Sequence, residues 1–368
     1  MPNRVARQVP SMLKPTHRAL GVGGLTNKQP QSETRRMKAA TYRRYGPPSV
    51  VTVRDWPDPV PAPGEVLVRI EAAGLTSGDA RIRAARAPGG LGLFLRLAFG
   101  VTRPRRPILG REYAGRIAAC GANVTRFSVG DAVFGITDGM TLGAHADYVA
   151  VKADGLLYSR PDSLPPIEAA TFFFGGLTAA DFLLDQCSLQ PGERLLIVGG
   201  TGAVGSAAIQ IARHSGAHVT ALTHADNLQL ARDLGAHEAL DYRIACELSG
   251  YNVILDVPGV MPQALNALAP GGRLGLVTAT FGQMIRAALR PNQTNQRRLC
   301  ASVIQETPQA IARLIELHRV GGYRPLVGES FPLAEIHHAH ARADSGHKRG
   351  NLAVLMETLP PQDAPYAP

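Results

Sequence analysis

The chain has 368 residues, of which 45% are apolar and 18% charged, a composition typical of a soluble globular protein with room for two domains. No run of about 18 uncharged apolar residues occurs, so we expect no membrane-spanning helix. The formal charge is +10, but residues 1–36 carry a net +6 of it, so the basic charge gives little indication of nucleic-acid binding.

Residues 1–36 are rich in Arg, Gln, Pro and Gly and lack a sustained apolar period, which predicts a disordered basic extension. An Arg-rich, acid-poor beginning is also typical of an organelle-targeting peptide. A further alternative is that Met37, where a strand-like segment begins, is the natural start. We expect a cytoplasmic protein, with organelle targeting by this extension as the alternative.

Residues 37–155 contain short β runs separated by Gly and Pro, a pattern that favours a compact β-barrel-like domain. The runs are residues 38–42, 50–53, 65–72, 114–120, 131–134 and 146–151. Residues 84–107 differ, because an apolar leucine-rich stretch is followed by a basic, Pro-rich piece. We expect a short helix and a loop there, either lining a substrate entrance or forming a plain surface insert.

A glycine cluster follows a helical, apolar stretch over residues 162–189. The short apolar run Leu195–Val198 enters the cluster, and helical spacing begins after it, which predicts strand, tight turn and helix. Gly200, Gly202 and Gly205 fit the G-x-G-x-x-G pattern of a dinucleotide site. In that pattern the first glycine allows the turn, the second lets main chain approach a pyrophosphate, and the third lets helix and strand pack closely. The first helical residues, Ala203 and Val204, would then face the phosphates.

Strands and helices alternate after this turn, which predicts a parallel sheet covered by helices on both faces, with ligands at the carboxyl ends of the strands. We predict strands at 218–222, 239–242, 253–256 and 273–277, and helices at 226–234 and 261–268. Further along the chain we predict helices at 308–319 and 333–344 and a last strand at 352–356.

Segments along most of the chain resemble the medium-chain dehydrogenase/reductase superfamily, and within it the zinc-free quinone oxidoreductase branch. They are MKAATYRRYG (37–46), PGEVLVRIEAAGL (63–75), PILGREYAGRIAACGANVTRFSVGDAVFG (107–135), GAHADYVAV (143–151), GLTA (176–179), LQPGERLLIVGGTGAVGSAAIQIA (189–212) and SGHKRGNLAVLM (345–356). The resemblance implies an α/β fold with a GroES-like β-barrel catalytic domain (37–160), a Rossmann-type doubly wound parallel sheet (161–304), a return to the catalytic domain (305–358) and a frayed tail (359–368).

Zinc-dependent relatives bind their catalytic metal through a Cys-His pair and the His of GHExxG. The corresponding positions here are Thr76, Ser77 and Arg111. Two hydroxyls and a cation cannot form the thiolate and imidazole shell of catalytic zinc, so we predict none. The four cysteines are scattered without a CxxC pair, which also argues against a structural zinc lobe.

Without a metal, a conjugated acceptor is the easier substrate, because hydride addition to a quinone or an α,β-unsaturated carbonyl leaves a delocalised charge that a few hydrogen-bond donors can stabilise. Family position favours Thr76 and Ser77 as donors, with Tyr45 and Tyr148 lining the site or donating protons. The alternatives are that the two hydroxyls satisfy turn main chain and that the tyrosines are half-buried barrel residues. The family usually has Asn at position 76.

The cofactor choice depends on the end of the second strand of the parallel sheet, where a carboxylate would repel a 2′-phosphate. Leu222 stands there, and Thr223 and His224 follow. Tyr242 and Arg243 resemble the family's pair near the adenosine phosphate, although Asn227 replaces a common lysine. We therefore predict NADPH, with NADH as the alternative. Thr178, Thr278 and Ala279 resemble positions near the nicotinamide half.

The remaining predictions concern partners and competing functions. We expect a small-molecule substrate, no nucleic acid, no membrane and a homodimer. His337, His338 and His340 lie on a polar helix, so we expect a solvated face rather than a metal site. Two functions compete with quinone or enone reduction: a zinc-free alcohol dehydrogenase, and a non-catalytic NADPH-binding sensor or RNA-associated protein.

Overall fold

The computed structural model describes residues 35–87, 91–138, 141–243, 248–261, 264–289 and 297–357. The predicted basic extension lies outside these residues except for its last two positions, and so do the predicted frayed tail and Cys246. No helix in the described part is long and apolar enough to cross a membrane.

A mostly antiparallel sheet, called the antiparallel sheet below, forms from the first part of the chain and from the last two strands, which pair parallel to each other. Its strands are β3 (Glu65–Leu75), β4 (Glu112–Cys120), β5 (Ala132–Ile136), β6 (Tyr148–Lys152), β7 (Leu157–Ser159), β14 (Val327–Pro332) and β15 (Asn351–Leu355), in the order β14-β15-β3-β4-β5-β7 with β6 also on β3. β1 (Arg36–Thr41) and β2 (Thr52–Pro57) pair separately. β14 and β15 bring the chain back to this sheet. The limits of the predicted return, 305–358, and closure into a barrel stay predictions.

Two helices interrupt this part of the chain, α1 (Ser77–Ala84) and α2 (Leu91–Phe99). The predicted short helix after residue 84 corresponds to α2. The sequence did not reveal α1, because its apolar pattern is weak and we interpreted its beginning as a turn.

A second, fully parallel sheet contains β8 (Arg194–Val198), β9 (His218–Thr223), β10 (Glu238–Asp241), β11 (Tyr251–Asp256), β12 (Leu268–Leu276) and β13 (Arg298–Cys300). Its order, β10-β9-β8-β11-β12-β13, reverses between β8 and β11, which is the Rossmann arrangement with its ligand crevice at that reversal. The predicted fold class is therefore confirmed. The domain boundaries at 160 and 304 stay predictions.

Alternate residues of β8 face opposite sides of the parallel sheet, and both sides are covered. Leu195 and Ile197 join a core cluster with residues of α4 (Phe173–Ala180), α5 (Ala203–His214) and α9 (Pro308–Arg319). Leu196 and Val198 join a cluster with α7 (Ala264–Ala267) and face α8 (Phe281–Leu289). Burial on both faces explains why this strand is continuously apolar.

The other helices differ from the sequence predictions at their ends. The predicted helical stretch 162–189 breaks into α3 (Pro166–Ala169), α4 and a π-helical continuation, Asp181–Gln186. α6 covers Leu228–Asp233 and α10 covers Ile336–Asp344, each after a short 3₁₀ turn. The strand β13 and the helix α8 were not predicted; β13 has only three residues, whereas α8 is amphipathic and its apolar spacing was overlooked.

Candidate active site

The glycine turn connects β8 to α5 at the reversal point of the parallel sheet. A Cβ on Gly205 would lie 2.1 Å from the carbonyl oxygen of Gly199, so only glycine lets the helix approach the turn this closely. A Cβ on Gly200 would lie 2.9 Å from the Cβ of Ala221 on β9. At Gly202 the nearest atom would be 3.6 Å away, an ordinary van der Waals distance, so an atom fits beside this residue without a clash. A ligand can therefore approach the main chain at Gly202.

The N-terminus of α5 faces this space without a side-chain cap. Gly202 is the N-cap residue and its side-chain position is empty, so no hydroxyl or carboxylate accepts from the first helical amides. The first amides of a helix, here those of Ala203 and Val204, have no intrahelical acceptor. With the positive end of the helix dipole, they form a ready anion site.

The C-terminal segment contacts the same turn. Gly350 N donates to the carbonyl of Thr201 at 2.8 Å, and Lys348 Nζ donates to the carbonyl of Gly350 at 3.2 Å. Burial lowers the pKa of Lys348 to about 8, and the charge of Glu112 opposes that shift. Sequence reasoning missed this lysine, although it lies within the matched segment SGHKRGNLAVLM. The segment places a desolvated cation beside the glycine turn.

The ends of β9 and β10 bring the predicted adenosine-side residues together. The rings of His224 and Tyr242 are 6.2 Å apart, and the Thr223 hydroxyl is 2.7 Å from that of Thr201. Arg243 donates to Asp241 through Nη2 at 2.7 Å and through Nε at 3.1 Å. Arg243, a cationic group expected here, is therefore already paired with the carboxylate of Asp241.

The predicted nicotinamide-side residues lie in two places. Thr178 is buried in α4 and donates to the carbonyl of Phe174 at 2.6 Å. Thr278 follows β12, and its hydroxyl accepts from Arg81 Nη2 of α1 at 3.3 Å, while Ala279 packs against the adjoining core. Burial lowers the pKa of the half-buried Arg81, and no carboxylate in the described ranges pairs with it. Arg81 was not identified from the sequence.

Thr76 and Ser77 begin α1. Thr76 is its N-cap: the hydroxyl donates to Asp79 Oδ2 at 2.7 Å and accepts from Asp79 N at 3.2 Å. Asp79 is buried, and its other oxygen accepts from Gly110 N at 3.0 Å. The one hydroxyl proton of Thr76 is thus committed to Asp79. Ser77 is half-buried, and its hydroxyl has no hydrogen-bond partner within the described part of the chain.

The two predicted tyrosines lie in different core clusters. Tyr45 donates to the carbonyl of Gly100 at 2.6 Å, and the Arg96 guanidinium lies 5.0 Å above its ring. Tyr148 is buried on β6, in a small cluster with residues of β1 and β3. Burial raises the pKa of both hydroxyls. The structure does not bring these two tyrosines together at one site.

Arg111, at the position where zinc-dependent relatives carry a histidine, forms a two-pronged ion pair with Glu306. The distances are 2.9 Å from Nη1 to Oε1 and 2.7 Å from Nη2 to Oε2, and Nη2 also donates to the carbonyl of Thr137 at 3.2 Å. The pair joins the antiparallel sheet to the segment before α9. Within the described residues no group of three or more His, Cys, Asp or Glu side chains is placed to hold a metal ion.

Glu112, the residue after Arg111, is fully buried and accepts from Phe174 N near the start of α4 at 2.5 Å. Burial raises its pKa to about 8, and the Phe174 amide opposes that shift. Like Arg81 and Arg111, it connects the antiparallel sheet and its helices to residues that follow or pack against the parallel sheet.

The prediction of a solvated histidine face is wrong for His340. His340 is completely buried, whereas His338 is exposed. The rings of His340 and His145 are 6.1 Å apart, and burial lowers the pKa of His340 well below its usual value. Helical spacing explains the error, because His340 lies on the same face as the buried Ile336 and Ala339.

Two family models match the chain. Residues 62–162 match the alcohol dehydrogenase GroES-like domain, and residues 203–318 match the zinc-binding dehydrogenase family. A chloroplastic quinone oxidoreductase of Triphysaria versicolor is 26% identical over 338 residues, which cover 86% of this chain and 98% of that protein.

Solved structures show the same similarity. The quinone oxidoreductase of Coxiella burnetii is 26% identical with a TM-score of 0.76, covering 88% of this chain and 100% of that one. A mycobacterial protein solved in complex with NADPH is 26% identical with a TM-score of 0.70, covering 87% of this chain and 99% of that one.

Proposed function

Because this chain belongs to the medium-chain dehydrogenase/reductase superfamily and is quinone oxidoreductase-like, we propose that it transfers hydride from NADPH to a quinone or an α,β-unsaturated carbonyl without zinc. The observation that carries the proposal is the open space beside Gly202, at the uncapped N-terminus of α5. A dinucleotide pyrophosphate fits such a site, since main-chain amides face an anion that no side chain obstructs.

The cofactor would be held by residues from both sheets. Gly200, Gly202 and Gly205 shape the turn, and the amides of Ala203 and Val204 face the phosphates. Lys348 adds a positive charge from the C-terminal segment. Its partly desolvated ammonium is stabilised by an anionic neighbour, and a diphosphate supplies one. Thr178, Thr278 and Ala279 would surround the nicotinamide half.

NADPH is favoured over NADH by the end of β9. Leu222 leaves no carboxylate where a 2′-phosphate would lie, and Thr223, His224, Tyr242 and Arg243 gather beside it. Asp241 already accepts from Arg243. Binding of a 2′-phosphate would therefore require this guanidinium to be shared between two anions.

Bound NADPH would supply the hydride, and the chain's own residues would position the acceptor and stabilise its charge. Ser77 is our candidate donor to the acceptor oxygen, because its hydroxyl is uncommitted within the described part of the chain. Thr76 would position the turn and would not contact the acceptor, because its hydroxyl proton is donated to Asp79. Of the two tyrosines, Tyr45 beside Arg96 of α2 is our candidate for lining the entrance, whereas Tyr148 is buried in another cluster.

The donor set argues against catalytic zinc at the family's usual position. Thr76, Ser77 and Arg111 stand there, and Arg111 is a cation paired with Glu306. A guanidinium supplies no lone pair to a metal. Stabilisation of the product charge would then come from hydrogen-bond donors and cations, which suits a delocalised phenolate or enolate better than a simple alkoxide.

Steady-state assays of chelator-treated protein with a quinone, an enone and simple alcohols, each with NADPH/NADP⁺ and NADH/NAD⁺, test this function. We expect NADPH-dependent reduction of the quinone or the enone and no oxidation of alcohols. Activity with alcohols alone would support an alcohol dehydrogenase, and tight NADPH binding without turnover would support a sensor or RNA-associated protein.

We also propose a small-molecule substrate, a homodimer without nucleic acid or membrane as a partner, and a cytoplasmic location. Organelle targeting by residues 1–36 is the alternative, because one relative is a chloroplastic protein. Fractionation of cells that express the full chain, beside a chain beginning at Met37, distinguishes the two locations.

A further inference from the structure

Two cysteines approach each other at the far edge of the parallel sheet, away from the glycine turn. Cys187 follows the π-helical segment after α4, and Cys300 ends β13; both are buried. The Cys300 thiol donates to the carbonyl oxygen of Gln186, the residue before Cys187, at 3.3 Å. Gly275 pairs with Cys300 in the sheet, and a Cβ on Gly275 would lie 3.3 Å from Cys187 Sγ. The two thiols therefore share one small region.

Two arginines border this region. Arg273 Nε donates to the carbonyl of Cys187 at 2.8 Å and is paired with Glu193, whereas Arg298 donates to the carbonyl of Gln186. The contact with the Cys187 thiol lowers the pKa of Cys300, burial opposes that shift, and the neighbouring Arg298 lowers the pKa further. The pKa of Cys187 is raised through its contact with Cys300 and by burial. One sulfur is thus favoured as thiolate and the other as thiol.

A cavity of about 510 Å³ gives access to one of the two sulfurs. Its walls are α8, residues 298–303 and Gln186. Cys300 and Arg298 line it, and Cys187 does not. The rest of the lining is mostly apolar, with Met284, Ile285 and Val303 among it. A small apolar molecule can therefore reach Cys300 first, with Cys187 behind it.

We propose that Cys300 and Cys187 form a peroxide-oxidisable dithiol whose oxidant is a small hydroperoxide entering this cavity. The Cys300 thiolate attacks the terminal peroxide oxygen, so that the S–O bond forms and the O–O bond breaks. The peroxide is reduced by two electrons to an alcohol, or to water, taking up a proton, and Cys300 becomes a sulfenic acid. The Cys187 thiolate then attacks the Cys300 sulfur, the S–S bond forms, and the hydroxide leaves as water with the Cys187 proton.

Cys120 provides an internal comparison. It is half-buried on β4, burial raises its pKa, and no second thiol in the described ranges lies beside it. The pKa of Cys120 is raised and that of Cys300 is lowered, so Cys300 has the larger thiolate fraction of the two. Because the thiolate is the reactive form, we expect Cys300 to react about tenfold or more faster than Cys120. This site is independent of the proposed reductase function.

The test uses the full-length reduced protein treated with cumene hydroperoxide or hydrogen peroxide, followed by non-reducing digestion and mass spectrometry. We expect a linked peptide pair containing Cys187 and Cys300, which disappears after reduction by dithiothreitol. Cys187→Ser should leave a sulfenic acid on Cys300 that dimedone traps, whereas Cys300→Ser should abolish oxidation of Cys187. Cys120→Ser is the matched control and should leave the link unchanged.

Peptides from wild-type protein decide the result even where a variant folds poorly. Cys187 and Cys300 remaining unlinked while Cys120 is oxidised at an equal or greater rate would overturn the proposal. Linkage of either cysteine mainly to Cys246 would also overturn it.

Discussion

The nucleotide side of the candidate site is shaped by main chain, whereas its substrate side is shaped by side chains. On the nucleotide side the glycine turn is shaped by main chain, and its fit depends on where a Cβ would lie: 2.1 Å from a carbonyl at Gly205 but 3.6 Å at Gly202. On the substrate side the shape comes from side chains with distant partners, as in Arg111 and Glu306, which are 195 positions apart. A short motif can therefore specify the first side, whereas the second depends on the complete fold.

The comparison predicts that NADPH binding weakens when a side chain fills the space beside the main chain of the glycine turn. Gly202→Val places a side chain in the open space beside the uncapped α5, and its extended backbone accepts valine without strain. We expect NADPH affinity to fall about a hundredfold or more, equivalent to about 2.8 kcal/mol. Isothermal titration of NADPH measures the change.

Gly282→Val in α8 is the control, because a Cβ there meets nothing within 4 Å and, as at Gly202, clashes with no atom. Its NADPH affinity should match that of the wild type. Equal affinities for Gly202→Val and wild type would place the cofactor elsewhere.

On the substrate side, we expect Ser77→Ala to remove a donor to the acceptor oxygen. Turnover should fall by up to about a hundredfold, as for the loss of one oxyanion donor, while NADPH affinity stays constant. Single-turnover kinetics with a quinone measure the chemical step. Unchanged turnover would show that Ser77 does not contact the acceptor.

Lys348 connects the two sides, because it precedes β15 of the antiparallel sheet and lies beside the glycine turn. Lys348→Met should weaken NADPH binding about tenfold, as for the loss of a charge-assisted hydrogen bond. The lysine pKa is lowered to about 8, so the cation is present below that pH and is lost as the pH rises through it. Wild-type affinity should therefore fall from about pH 7 to about pH 9, and the variant's should stay flat.

Fluorescence titration of NADPH across this pH range tests the assignment. Lys152→Met, on an exposed position of β6, is the control and should retain the wild-type pH profile. A pH profile of Lys348→Met that still falls would assign the titration to another group.

The 2′-phosphate side should show a smaller, selective effect. Arg243→Gln should weaken NADPH binding about tenfold and leave NADH binding unchanged, because only NADPH carries the phosphate. Dissociation constants for both cofactors check this. Arg232→Gln on the exposed face of α6 is the control. An equal loss for NADPH and NADH would mean that Arg243 is structural.

The smallest effect is expected at Thr76, where the hydroxyl caps α1. Thr76→Val should lower the free energy of unfolding by about 1 kcal/mol, and Thr76→Ser should restore it. Denaturant unfolding measures the difference. A loss of turnover as large as that of Ser77→Ala, with stability unchanged, would give Thr76 a direct catalytic role instead.

Much of the fold could be predicted because its signals are local. The continuously apolar β8, the glycine turn and the apolar face of α5 lie within 21 residues, and α9 was predicted at its observed bounds, residues 308–319. α1 was missed because its cap at Thr76 looks like a turn in sequence. β13 was missed because three residues are too few to show a period.

The candidate site was harder to predict because its charges are paired through the fold. The sequence indicated His224 and Arg243 near the adenosine end, but not that Asp226 and Asp241 lie against them. It gave no signal for Arg81 at Thr278, and it marked Lys348 only as part of a matched segment, not as a cation beside the glycine turn. These residues become recognisable only when the C-terminal segment and α1 are seen against the parallel sheet.

One measurement tests the central claim most directly. Chelator-treated protein of determined zinc content is mixed with equimolar NADPH and a quinone, and the near-ultraviolet absorbance of NADPH is followed, with Gly202→Val in parallel. We predict that NADPH is consumed one-to-one with the quinone at a zinc content far below one atom per chain, and that the variant consumes none under the same conditions. Consumption that begins only after zinc is added, or that persists at the wild-type rate in Gly202→Val, would contradict the account.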